Sequence, residues 1–217
     1  NIDELWPHLK NEDRWLRFAA RRAIENQDVA QWRERALTET QPTAAIAGLI
    51  ALSRKGTADD RNAVLAALNK ININNLDQRR FLALLRAYQL CFIRLGSPTE
   101  EQANTLKQKL QPLYPHATTS ANHLLCELLV YLNDENVIPK TLELLTASST
   151  QEEQIRAART LTYAKQGWSK KQQQTFLSWL ADARTFNGGK QLTERIREIR
   201  EDFLKTLSEQ DQKQLST

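Results

Sequence analysis

The stretch that decides the fold is RWLRFAARRAIE, residues 14–25. Its apolar residues Trp15, Leu16, Phe18, Ala19, Ala20, Ala23 and Ile24 recur at helical spacing, with Arg17 among them. The same step returns downstream: LLRAYQL sets Arg86 after Leu84 and Leu85, and EQIRAAR sets Arg156 after Ile155. Arg17, Arg86 and Arg156 are about 70 residues apart, two units of roughly 35 each, within the period range of helical-hairpin repeats. Ile196–Arg197 opens the same phase near the end.

Outward from this stretch, the pattern predicts helices over 2–9, 12–26, 29–39, 42–54, 58–70, 77–95, 99–113, 119–133, 136–147, 150–166, 169–185 and 190–207, with a short tail helix near 209–215. Thr99, Thr150 and Ser169 stand where a hydroxyl can accept from free first-turn N–H groups. Pro42 sits in a first turn, and Gly56, Gly96 and Gly167 follow helical runs where a left-handed residue is expected. No run alternates with the two-residue period of a half-buried strand. The fold class is therefore all-α. The helices pair into six hairpins, 2–26, 29–54, 58–95, 99–133, 136–166 and 169–207, in one domain over 1–217. One hairpin cannot bury its apolar face alone, so stacking is required.

The chain of 217 residues is 41% hydrophobic, enough to bury a core. Thirty basic residues stand against 26 acidic ones, a formal charge of +4 that permits but does not demand a polyanionic partner. Apolar runs are broken by charge every few residues, so no membrane span is expected. There is no Met, and Asn1 leads almost directly into the first helix, which reads as a piece of a longer chain.

Catalytic patterns do not emerge. Cys91 in LCFIRL and Cys126 in LLCELL read as small buried core residues. His8, His116 and His123 lack metal-ligand spacing, so no metal and no cofactor is expected. Glu100–Glu101 and Glu152–Glu153 read as first-turn acids favoured by the helix dipole. Trp179 fits a core stripe with Phe176, Leu177 and Leu180, and Trp168 reads as a plug at a helix stop. Asp13 precedes Arg17 by four residues, as Glu152 precedes Arg156, the favourable order for an ion pair on a helix. These arginines therefore read first as structural ties. The alternative is a partner-binding surface made of Arg17, Arg21, Arg54, Arg86, Arg156, Arg159 and Arg197.

The repeat plan resembles the HEAT repeat family, which implies a right-handed α-α superhelix. A closer resemblance spans nearly the whole chain. The ordered blocks NEDRWLRFAARRAIE, WRERAL, LLRAYQLCFIRLG, LQPLYP, CELLVYL, TQEEQ, GWS and FLSWL are similar to a HEAT-like segment of very large, secreted multidomain bacterial proteins. There it lies between a sugar-dehydrogenase-type β-propeller and a c-type cytochrome region carrying CxxCH. In that family an aromatic often follows the double glycine; here Gly188–Gly189 is followed by Lys190, Gln191 and Leu192. The resemblance implies a non-catalytic scaffold or protein-interaction segment, extracytoplasmic, whose partner is a protein or a neighbouring domain. The competing expectation is a nucleic-acid-binding module like the HEAT-like DNA glycosylases, resting on Arg14, Arg17, Arg21, Arg54, Arg86, Arg94, Arg156, Arg159 and Arg197. The near balance of acids and bases makes it the weaker one.

Overall fold

The computed structural model describes residues 1–147 and 150–207, and among them it holds α-helices and short 3-10 turns with no strand. The tail helix expected near 209–215 lies outside the described residues. The chain divides into two compact units, Asn1–Leu106 and Lys107–Thr217, where the sequence pattern reads as one domain.

In the first unit, α1 (Ile2–Leu5), α2 (Arg14–Glu25), α3 (Arg33–Thr38), α4 (Pro42–Lys55), α5 (Arg61–Lys70) and α6 (Gln78–Leu95) follow in order, with α7 (Glu100–Leu110) running through the boundary. The second helices α2, α4 and α6 pack in sequence, each on the next. The first helices α3 and α5 pack on each other and against that row, which makes two layers. The second unit repeats the scheme with α8 (Thr119–Tyr131), α9 (Val137–Ala147), α10 (Gln151–Leu161), α11 (Lys170–Ala183) and α12 (Lys190–Thr206). There α10 packs against both α8 and α12, while α11 packs on α9.

Local chemistry explains the boundaries. Asp13 accepts from the Trp15 N–H at 2.7 Å, Asp77 from Arg80 N–H at 2.8 Å, and Ser169 forms a reciprocal cap with Gln172. Pro7 tightens the end of the first expected helix into a 3-10 turn over Trp6–Lys10. Similar turns over Val29–Gln31 and Ala58–Asp60 open the second and third hairpins. The helix expected over 150–166 stops at Leu161, where the Thr162 hydroxyl donates to the Arg159 carbonyl at 2.8 Å and competes with the helical ladder.

Gly96 and Gly167 have the positive φ anticipated, 103° and 86°. Gly56 does not. It is extended, with φ −74°, and its glycine is required by crowding: a Cβ would come within 2.5 Å of Asp60 Oδ2 and 2.7 Å of the Leu52 carbonyl. Trp6, Trp32 and Trp179 are buried; Trp6 Nε1 donates to Glu39 at 2.7 Å and Trp179 Nε1 to Gln154 at 2.8 Å. Trp168 sits edge-on to Phe176 and Phe203, with ring centroids 5.6 and 4.9 Å away, and closes the core around α11 and α12.

Candidate binding cleft

The opening stretch folds into α2, but only part of its apolar set faces the core. Trp15 is 65% exposed, Phe18 51% and Leu16 49%. Ala20, Ile24 and Glu25 are the buried members. Arg17 and Arg21 are half-buried and face α4 and α6 across a cleft of about 270 Å³.

Three helix stripes build this cleft. From α2 come Arg14, Arg17, Phe18 and Arg21; from α4 come Thr43, Ile46, Ala47 and Ile50; from α6 come Arg79, Arg80 and Ala83. On each helix the positions follow three- and four-residue spacing, the neighbours on one helical face. The bottom is apolar and both edges are guanidinium. Arg14 lies over the Trp15 ring at 4.5 Å and Arg21 over the Phe18 ring at 5.4 Å, so the exposed aromatics support the cations beside them.

The arginines are held in several ways. Arg17 Nη1 donates to the Asn11 carbonyl and, at 2.8 Å, to the Glu12 carbonyl, so it closes the turn before α2. Asp13, the expected partner of Arg17, instead spends its carboxylate on the Trp15 N–H and acts on Arg17 only through its charge. Burial and the nearby charge of Arg79 hold the Arg17 pKa below its ordinary value. Arg80 donates to Thr43 Oγ1 at 2.8 Å and to Asp77 at 2.8 Å. Glu12 reaches from the turn before α2 to α6, 3.3 Å from Arg79 Nη2 and 3.5 Å from Arg80 Nη2. At the far end Arg21, Arg22 and Arg54 all meet the buried Glu25 carboxylate, at 3.3, 2.5 and 3.1 Å.

Of the seven arginines expected to form a partner surface, Arg17 and Arg21 line the cleft and Arg54 ties α4 to α2 at its end. Arg86 lies exposed on α6, three residues beyond Ala83. The other three belong to the second unit. Arg156 pairs with Glu127 at 3.4 Å, whereas the sequence expects Glu152, which is exposed at the start of α10. Arg159 pairs with Asp202 and lies over the Tyr163 ring. Arg197 pairs within its own helix, with Glu194 at 2.6 Å. Arg79 and Arg80 were missed. Their signal was the doublet after the Asp77 cap, one helical face before Arg86.

A second hollow, of about 150 Å³, lies in the second unit and brings together His123, Cys126, Asn122 and Glu153. Its chemistry is quiet. Burial pushes the Cys126 thiol up to about 11, and its sulfur rests 3.5 Å from Thr141 Oγ1, so thiolate is scarce at neutral pH. Burial, then the charge of Arg156, lowers the His123 pKa. Glu153 accepts from the Thr119 hydroxyl at 2.8 Å. Among the described residues no three His, Cys, Asp or Glu side chains gather as metal ligands, and no helix is long and apolar enough to cross a membrane.

Compared with protein-family models, with curated proteins and with solved structures, the chain matches none of them.

Proposed function

We propose that this chain is a non-catalytic helical-repeat segment that binds a protein partner or a neighbouring domain through the α2–α4–α6 cleft. The single observation that carries the reading is the register of the three stripes. The helices α2, α4 and α6 put matched positions on one surface, with Phe18 half-exposed on it and Trp15 exposed beside it. Exposed large aromatics next to arginine are the composition of protein-binding surfaces. The packing of second helices on one another within each unit also supports a HEAT-like stack, and its right-handed superhelical sense rests on the resemblance. The extracytoplasmic location and the multidomain parent rest on the family resemblance alone.

The test is cross-linking mass spectrometry on the native protein, with a photo-reactive residue at Trp15. Cross-links to one defined partner surface or flanking domain support the reading. A chain that gives none, and that turns over a substrate, sinks it.

The five cleft arginines favour one second reading, a nucleic-acid surface. Such binding would rest on phosphate contacts and weaken steeply with salt. Against it, Glu12, Asp77 and Glu25 sit among the same arginines and offset much of their charge. Anisotropy with labelled duplex DNA at low salt decides: no binding there removes this reading.

A further inference from the structure

The occupant of the cleft is specified by its two chemistries. A nucleic-acid backbone would use the guanidinium edges but has no use for an apolar floor of Phe18, Ala47 and Ile50. A neutral apolar helix would use the floor and leave the edges unpaired. The α4 residues of the lining stand at helical spacing, which suits a second helix laid in the groove. The structure also shows what the edge arginines accept. Glu12, 80% exposed, places one carboxylate oxygen near Arg79 and the other near Arg80. It comes from a turn 67 residues away in sequence. Such an exposed pair is weak and readily exchanged.

We infer that the cleft docks an acidic amphipathic helix of a partner protein, whose apolar stripe covers Phe18, Ala47 and Ile50 and whose carboxylates pair with Arg14 and Arg79. Glu12 occupies the carboxylate position on Arg79 and Arg80 until that partner displaces it. The inference rests on the protein-interaction reading above and names the chemistry of its partner.

The experiment is fluorescence anisotropy on the whole chain. The probe is a labelled peptide of roughly four helical turns, with leucines along one face and glutamates flanking them. The comparators are the same peptide with glutamine for every glutamate, and a labelled DNA duplex. Saturable binding of the acidic peptide alone is expected. Arg14→Glu with Arg79→Glu, both exposed and remote from the core, should weaken it at least tenfold, with helical circular dichroism unchanged. Phe18→Ala should weaken it several-fold. Glu12→Gln should tighten it about twofold to fivefold, the scale of one exposed ion pair, because the Glu12 carbonyl that Arg17 uses is kept.

Equal binding of the glutamine peptide, indifference to the charge reversal, or tighter binding of the duplex at the same arginines overturns the inference. So does self-association of the chain that the charge reversal abolishes, since the occupant would then be a second copy. If the acidic peptide fails while Trp15 still cross-links to a protein, the acidic helix falls and the interaction reading stands. If both fail, both fall.

Discussion

Arg54 Nε lies 3.1 Å from Oε1 of Glu25, a carboxylate only 1% exposed at the end of α2. Arg21 and Arg22 reach the same carboxylate from within α2, so one buried acid ties α2 to α4 beside the Arg21 end of the cleft.

Replacing Glu25 by Ala leaves Arg21 and Arg54 facing one another without their counter-charge. A fully buried pair broken this way costs roughly 3–5 kcal/mol. Here the arginines reach solvent, so a loss of about 2–3 kcal/mol is expected. Urea unfolding monitored by circular dichroism measures it, and a loss below half a unit would mean that packing alone holds this junction.

Gly96 closes α6 with φ 103° and ψ 170°, a region open essentially to glycine. A Cβ there would meet nothing closer than Arg61 Nη1 at 3.6 Å, so the cost of Gly96→Ala is backbone strain and not collision. A destabilisation of about 1–3 kcal/mol is expected in the same unfolding assay.

Burial pushes the Cys91 and Cys126 thiols from 9.0 to about 11. Above pH 9 the unfolded thiols lose protons that the folded ones keep. Stability is therefore full below that pH and falls as pH rises toward 11, by up to about 1.4 kcal/mol per pH unit for each thiol. Burial pushes the Tyr88 and Tyr114 phenols the same way. Chemical denaturation across that range checks the slope. Ellman's reagent at pH 8 should find both thiols inert until denaturant is added.

Burial, then Arg156, lowers the His123 pKa from its ordinary 6.5, with Glu127 and Glu153 pulling the other way. As pH falls below 6.5 the unfolded ring takes a proton that the folded ring resists, so stability drops on the acid side. An NMR titration should show the His123 ring titrating below 6.5, and His123→Gln should flatten that limb of the stability profile.

Much of the fold was legible because helix signals are local. The Asp77 cap, Pro42 in a first turn and the three-to-four-residue apolar spacing all act within a few residues. Where the expectations missed, the competing effect was also specific. Thr162 ended α10 early through its own hydroxyl, and Gly56 answered to crowding by Asp60 rather than to a left-handed turn. The candidate site was half legible. The Arg17 and Arg21 positions stood out, but Arg79 and Arg80 read as an ordinary first turn until α6 was laid beside α2.

The sequence by itself determined that the chain is helical and where most of its helices start, because periodicity and capping are written residue by residue. Which side of α2 faces inward was decided only by tertiary packing. RWLRFAARRAIE carries apolar groups on two faces, and an arginine stem buries as readily as a short aliphatic chain while its charged head reaches out. The structure therefore turns Trp15 outward and sets Arg17, Phe18 and Arg21 along the cleft. Meetings such as Glu12 with Arg79, 67 residues apart, depend on how one helix lies on the next, which no local pattern encodes.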